Sequence, residues 1–176
     1  MANVTYDKNC LTVLDHPLVG HKMTILRDES TAPAHFRKLV HELAALEAYE
    51  ATRDLPTLQV QVKTPICETE GVRLKDDTLA VVPILRAGMG MLEGVLSVVP
   101  SAAVGVLGME RDEETHEPHS YYAKMPQGIE NRMALVIDPM LATGGSALAA
   151  IKYLREAGVK DIRLLVMVAA PEGVLP

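Results

Sequence analysis

The sequence predicts an α/β protein in which a parallel sheet is flanked by helices. Four apolar runs have the length of strands, at residues 79–85, 102–109, 133–137 and 164–170. Such continuous runs are typical of strands buried on both faces of a parallel sheet. In a sheet with one solvent-exposed face, apolar and polar residues alternate along each strand. Helix-like spacing of apolar residues follows the first and the third run, as in chains that alternate strands and helices.

The amino-terminal part is predicted to be mainly helical. Residues 3–13 alternate weakly and suit an arm or an edge strand. Pro17 fits the first turn of a short helix that runs through Leu26, and a longer helix starts around residues 30–33. It closes at residues 49–52. Its predicted apolar face comprises Phe36, Leu39, Val40, Leu43, Leu46 and Tyr49.

A β-hairpin that projects from the core is predicted next. Apolar and polar residues alternate from Leu58 to Val62, and a second strand-like run covers residues 66–72. Asp76 and Asp77 are interpreted as a turn rather than as a catalytic pair of carboxylates, because a strand follows at once.

The apolar run at residues 79–85 ends in Arg86 and a glycine-containing segment, which we call the arginine loop (residues 86–90). Pro83 predicts an edge position or a bulge for this strand, since proline cannot donate to a sheet ladder. After the next run, residues 110–117 are highly polar, and residues 118–128 contain further polar residues and prolines. Both segments are predicted to form a mobile loop.

The clearest chemical signal lies between residues 133 and 157. The apolar run there ends in Asp138, which places a carboxylate at the carboxyl end of a strand, where open α/β sheets bind their ligands. We call residues 139–146 the glycine loop. Its Thr143-Gly144-Gly145-Ser146 segment precedes a predicted helix over residues 147–157, which Gly158 would cap.

Two interpretations of the glycine loop are open. The glycines, the hydroxyls and the positive end of the following helix together form a cradle for an anion, most naturally a phosphate monoester. Alternatively, the loop is only a tight turn in which Ser146 is the N-cap. The Asp138 carboxylate favours the cradle, because it can accept hydrogen bonds from two neighbouring ribose hydroxyls. No Gly-Lys-Ser or Gly-Lys-Thr occurs, so this is not a Walker loop.

At this level of detail the chain resembles a known family. The segment Asp138-Pro139-Met140-Leu141-Ala142-Thr143-Gly144-Gly145-Ser146 resembles the phosphoribosyl diphosphate (PRPP) motif of type I phosphoribosyltransferases. Proline after the acid is typical of the uracil phosphoribosyltransferase subfamily. Segments 16–22, 49–52, 82–90, 108–115 and 168–173 match the same subfamily in the same order.

This resemblance implies an activity and a set of roles. The activity is transfer of a 5-phosphoribosyl group from PRPP to N1 of uracil, which gives UMP and pyrophosphate. Asp138 would hold the ribose hydroxyls and residues 143–146 the 5-phosphate, while Arg86 and, in a mobile lid, Arg111 would hold the pyrophosphate. The resemblance also implies Mg²⁺ held mainly through PRPP, a possible GTP effector, and a homodimer or higher homo-oligomer.

Composition and charge argue against several other classes of protein. A formal net charge of −6 argues against a nucleic-acid surface, which needs basic patches. Cys10 and Cys67 form no Cys-x-x-Cys pair, which suits reduced thiols in the cytoplasm. No apolar run approaches the ~18 residues of a membrane span, and we expect one domain over residues 1–176.

The resemblance breaks at the carboxyl end. In the family the last strand is followed by a helix, a strand and a glycine-rich loop that recognises uracil, and these have no counterpart here. The expectation is either a naturally short protein, with an exposed sheet edge, or a truncated chain. A PRPP-binding regulatory or inactive short form therefore stays open. A dinucleotide-binding oxidoreductase is disfavoured, because Gly88, Gly90 and Gly94 lack the fingerprint spacing.

Overall fold

The computed structural model describes residues 11–111 and 118–174, with residues 110, 111, 118 and 119 described through the backbone only. Within these ranges, no helix is long and apolar enough to cross a membrane. In chain order the elements are α1 (Pro17–Leu26), α2 (Pro33–Ala51), β1 (Thr57–Lys63), β2 (Glu68–Leu74), β3 (Leu79–Leu85), α3 (Met89–Val98), β4 (Ala103–Val104), β5 (Val106–Arg111), β6 (Pro118–Lys124), β7 (Met133–Ile137), β8 (Met140–Leu141), α4 (Gly145–Glu156), β9 (Ile162–Leu165), β10 (Val168–Ala169) and α5 (Pro171–Val174).

The central sheet has the strand order β6-β5-β3-β7-β9, and the short β4 also pairs with β3. Within this central sheet every pairing is parallel except that of β5 with β6. The predicted α/β class with a parallel sheet is therefore confirmed. β3 and β7 lie in the middle, as their continuous apolar runs predicted, and all five residues of β7 are buried.

Helices cover both faces of the sheet. Because side chains alternate along a strand, Val81 and Leu135 enter the core that α2 and α3 share with one face. Val82 and Val136 enter the other core, where they join Leu154 of α4. Each side of the central strands is therefore apolar, which explains why β3 and β7 show no alternation in sequence.

The two amino-terminal helices start and end close to the predicted positions. The Nδ1 atom of His16 accepts a hydrogen bond from the Leu18 N–H at 3.1 Å, so His16 caps α1. The predicted apolar face of α2 is correct in the middle and wrong at its ends, since Phe36 and Tyr49 are 44% and 67% exposed. The ten-residue α3 crosses the nineteen-residue α2 near Ala44 and is too short to cover both ends.

The predicted hairpin is present as a separate antiparallel sheet of β1 and β2. None of its residues is fully buried. Asp77 lies in the turn before β3 with a φ of 56°, which agrees with the turn interpretation of the two aspartates.

The predicted edge position of Pro83 is wrong, because β3 lies between β5 and β7. The neighbouring chain is interrupted beside it: β4 ends at Val104, β5 begins at Val106, and the Gly105 N–H donates to the Val81 carbonyl. Pro83 lies two residues beyond Val81, so its backbone nitrogen faces the same neighbouring chain, at the interruption. The missing N–H group of proline therefore costs no hydrogen bond of the sheet.

Residues 118–128 are not the predicted continuous loop, because β6 occupies residues 118–124 and pairs with β5. The register shifts beside Gly108. Tyr121 is the extra residue at this β-bulge, and its ring lies over Gly108, where a β-carbon would come within 3.0 Å of the ring. The polar segment 112–117 lies outside the described residues.

The predicted strand at residues 164–170 is divided in two. β9 ends at Leu165 in the main sheet, and β10 leaves that sheet to pair in parallel with β8. Only Leu165 of β9 is fully buried, because among the described residues β9 has one strand neighbour. The predicted helix after the glycine loop is α4, and Gly158 follows it with a left-handed φ of 89°.

Arg163 connects β9 to the end of α2, and its removal should destabilise the fold. Its Nη1 atom donates to the Ala51 carbonyl at 2.7 Å and to Asp54 at 2.5 Å, and Nη2 reaches Asp54 at 3.0 Å. This guanidinium lowers the pKa of Asp54. We expect Arg163→Ala to lower the free energy of unfolding by about 1 kcal/mol, since the pair is partly exposed. Arg163→Lys should recover little, because lysine cannot form the bidentate pair. Equal urea midpoints for all three proteins would contradict this role.

Candidate active site

The carboxyl ends of β3 and β7 bring together the two loops that the sequence singled out. Pro83 of β3 lies opposite Ile137 of β7 in the parallel register. Asp138 follows Ile137 directly, and Arg86 follows the last residue of β3. Neighbouring strands are about 4.8 Å apart, so the arginine loop and the glycine loop start side by side at one edge of the sheet.

Gly88 fixes the arginine loop against the end of β7. Its N–H donates to the Ile84 carbonyl at 2.9 Å. A β-carbon at Gly88 would lie closer than 3.0 Å to the Ile137 carbonyl oxygen and to the backbone of Ile84. Only glycine permits this approach. The peptide bond between Leu85 and Arg86, next in the same turn, is cis.

The glycine loop surrounds a small cavity of about 80 Å³, lined by Asp138, residues 140–147 and Val166. A cavity of this size has room for several water molecules or for a phosphate-sized group. Gly144 has a left-handed φ of 81°, which favours glycine, and α4 begins with the next residue. The free N–H groups of the first turn of α4 are thereby placed at the cavity.

The structure contradicts the interpretation of Ser146 as an N-cap. The N-cap position of α4 is Gly144, and Ser146 lies inside the first turn. Gly144 has no side chain with which to occupy the N–H groups at this helix end. The geometry therefore favours the first interpretation of the loop, a cradle of backbone donors at a positive helix terminus.

Asp138 and Arg86 provide opposite charges that do not neutralise each other. Partial burial raises the pKa of the Asp138 carboxyl, and the Met140 N–H, which donates to Oδ1 at 3.4 Å, opposes this shift. Arg86 is exposed. Among the side chains that the structure describes, neither Asp138 nor Arg86 forms an ion pair with a partner. Both remain available to a ligand with hydroxyls at one end and a polyanion at the other.

Arg111 is the one predicted site residue whose side chain lies outside the described part of the chain. Its backbone ends β5, three residues beyond Gly108, which lies opposite Leu85. The backbone of Arg111 is therefore at the same edge of the sheet as Arg86. Its predicted contact with a ligand stays a prediction.

Metal ligands are sparse in the described structure. Among the described residues no group of three or more His, Cys, Asp or Glu side chains could hold a metal ion. Asp138 is the carboxylate that lines the cavity. A single carboxylate suits Mg²⁺, which keeps several waters and commonly binds through one or two carboxylates plus substrate phosphates.

Sequence reasoning missed two contacts in this site. Gly88 was assigned to the arginine loop and to a poor dinucleotide fingerprint, but its packing against β7 was not predicted. Segment 168–173 was recognised as a motif without a role, although it contacts the glycine loop. Neither glycine carries a local sequence signal that predicts its distant contact.

Comparison with solved structures defines the class of this protein. Its fold matches that of a purine phosphoribosyltransferase from Pyrococcus horikoshii with a TM-score of 0.57 at 11% identity, covering 80% of this chain and 77% of that one. The AQ2163 protein from Aquifex aeolicus is more similar, with a TM-score of 0.85 and 38% identity over 92% of this chain and 77% of that one. The fold is that of the phosphoribosyltransferases.

Sequence comparison identifies the family. The family model for uracil phosphoribosyltransferase matches residues 13–175. The uracil phosphoribosyltransferase of Lactobacillus gasseri is 55% identical over 163 residues, which are 93% of this chain and 78% of that protein. That of Macrococcus caseolyticus is 56% identical over 162 residues, with 92% and 78% covered. The chain belongs to the uracil phosphoribosyltransferase family.

Proposed function

We propose that this protein transfers the 5-phosphoribosyl group of PRPP to N1 of uracil, releasing pyrophosphate and forming UMP. The observation that carries the proposal is the position of Asp138 between the arginine loop and the cavity of the glycine loop. A ribose 5-phosphate extended along this edge meets backbone donors at its phosphate and a carboxylate at its hydroxyls. The names of the relatives favour an enzyme over a PRPP-binding regulatory protein.

The chemistry needs positioning and charge more than a reactive side chain. Cleavage of the bond between the anomeric carbon and the diphosphate oxygen leaves positive charge on the ribose and negative charge on the pyrophosphate. Arg86 stabilises the leaving pyrophosphate with a bidentate guanidinium, and Arg111 is assigned the same role. Asp138 orients the ribose through its hydroxyls, so that N1 of uracil can approach the anomeric carbon. As the bond to N1 forms, uracil releases its N1 proton to solvent, so the products are UMP, pyrophosphate and a proton.

Mg²⁺ belongs to the proposal as the cofactor, held mainly by PRPP oxygens. It would supply charge neutralisation on the diphosphate as the bond breaks. Asp138 is half-buried and forms no ion pair with a described side chain, so its carboxylate can accept from ribose hydroxyls or from metal-bound water.

Replacement of the two charged site residues tests the assignment. We expect Asp138→Asn and Arg86→Ala each to weaken PRPP binding tenfold or more, since a hydrogen bond to a charged group is worth ~1.5–3 kcal/mol. Isothermal titration of PRPP with Mg²⁺ measures the affinity. Asp76→Asn and Arg73→Ala are matched controls, because both residues are exposed and lie away from the site. Equal affinities for the wild type and a folded site variant would remove that residue from the site.

Addition of uracil after PRPP in the same cell tests turnover. Release of UMP and pyrophosphate is the expected result. PRPP binding without any response to uracil would favour the regulatory alternative. Folded protein that binds no PRPP would overturn the proposed function.

The proposal also covers the assembly, the regulation and the location of the protein. We propose a homodimer or higher homo-oligomer in the cytoplasm, with GTP as an effector, as the family resemblance implies. Exposed apolar residues on the hairpin, including Leu58, Ile66 and Val72, support self-association. The exposed free thiol of Cys67 suits a reducing compartment. Sedimentation with and without GTP tests assembly and its response to the effector.

A further inference from the structure

Residues 167–173, which we call the strap, lie against the back of the glycine loop. β10 of the strap pairs in parallel with β8 of the loop. The N–H groups of Met167 and Val168 donate to the Pro139 carbonyl, each at 3.2 Å, and the Ala170 N–H donates to the Leu141 carbonyl at 2.8 Å. The strap thus binds the loop through backbone atoms, although the two segments are far apart in sequence.

Gly173 extends this contact to the next loop residue. The Gly173 N–H closes a turn by donating to the Ala170 carbonyl at 3.0 Å. A β-carbon at Gly173 would lie within 3.0 Å of the Ala142 carbonyl oxygen and 2.9 Å from Cγ of Leu141. Any side chain at this position would push the Ala142 carbonyl away. The absence of a side chain therefore lets the strap pack directly on the loop.

The contact determines which way the loop presents its donors. In a trans peptide the carbonyl and the following N–H point in opposite directions. Three loop carbonyls face the strap, so the N–H groups of Met140, Ala142 and Thr143 are directed away from it. The Met140 N–H shows the consequence, because it donates to the Asp138 carboxylate that lines the cavity.

We propose that the strap is a positioning element for the glycine loop and that Gly173 is its positioning residue. Because the loop carbonyls face the strap, the N–H groups of Ala142 and Thr143 are oriented toward the cavity before the ligand arrives. The N–H group of Met140 orients the Asp138 carboxylate instead. Donors fixed in advance bind an anion without reorganisation. This inference rests on the proposed function, since it takes the ligand of the cavity to be the 5-phosphate of PRPP.

The Gly173→Ala variant of the full chain tests the proposal through two partial ligands. Ribose 5-phosphate probes the glycine loop, and pyrophosphate with Mg²⁺ probes the arginine loop. We expect the affinity for ribose 5-phosphate to fall about tenfold or more, since small displacements of positioning groups have effects of this size. The affinity for pyrophosphate should not change, and the KM for PRPP should rise more than kcat falls. Gly20→Ala is the control, because a β-carbon at Gly20 would meet nothing within 4 Å.

A second variant covers the case in which Gly173→Ala does not fold. Ala170→Pro removes the N–H that donates to Leu141 without adding bulk beside Ala142, and it should also weaken ribose 5-phosphate binding selectively. Unchanged binding of both ligands in a folded strap variant, or an equal loss of both, would overturn the positioning role. If the wild type binds pyrophosphate but not ribose 5-phosphate, the phosphate assignment itself fails. If it binds neither, the proposed function fails and the inference fails with it.

Discussion

Replacement of Gly88 by alanine is expected to lower the free energy of unfolding by about 3 kcal/mol and to weaken pyrophosphate binding. The added methyl group would overlap the Ile137 carbonyl oxygen and the backbone of Ile84. These atoms belong to two central strands and cannot rotate away as a side chain would. Overpacking a rigid site typically costs ~1–3 kcal/mol, and the contacts at Gly88 are at the severe end. The arginine loop must therefore move, and Arg86 moves with it.

Gly90→Ala is a matched control for this effect. Gly90 is two residues further along, and its β-carbon would make ordinary contact with Val40 at 3.6 Å. Gly90 lies in α3, where alanine is favoured over glycine by ~0.5–1 kcal/mol. Urea denaturation should therefore give a lower midpoint than the wild type for Gly88→Ala and a higher midpoint for Gly90→Ala. Similar midpoints for both would show that Gly88 has more room than the geometry indicates.

The parts of the fold that were predictable are those that local sequence controls. Pro17 marked the first residue of α1, and continuous apolar runs marked β3 and β7 with the correct bounds. Pro83 and β6 were not predictable in this way. The acceptance of Pro83 inside the sheet depends on an interruption in a neighbouring chain, and β6 depends on pairing with β5. Both are properties of a strand's neighbours.

The site shows the same distinction between features set by local sequence and features set by distant contacts. Asp138 and Arg86 could be placed from sequence, because each follows an apolar strand and the ends of parallel strands meet at one edge. The packing of Gly88 on Ile137 and of Gly173 on Ala142 joins segments about 30 to 50 residues apart in sequence. A glycine required by a distant carbonyl has no local signature. These contacts therefore appeared only with the structure.

Glu47 provides the second large prediction, because one oxygen of its carboxyl group in α2 is buried and has no hydrogen-bond partner among the described residues. Its Oε2 atom is inaccessible and has no hydrogen bond within the described residues. Burial raises the pKa of Glu47 to about 7 from an ordinary value of 4.5. The folded state thus holds this proton more tightly than the unfolded chain does. The contribution of Glu47 to the free energy of unfolding is therefore largest below pH 4.5, and it decreases as pH rises toward 7.

Glu47→Gln isolates this contribution, since it keeps the shape of the side chain and removes its titration. We expect the difference in free energy of unfolding between Glu47→Gln and the wild type to grow by about 3 kcal/mol from pH 4.5 to pH 7 and then to stay level. Other titrating groups are common to both proteins and cancel in the difference. Urea titrations at half-unit pH intervals measure it. A difference that does not vary with pH would mean that Glu47 reaches water or a cation in the folded protein. The predicted slope instead identifies a buried carboxyl whose ionisation opposes folding near neutral pH.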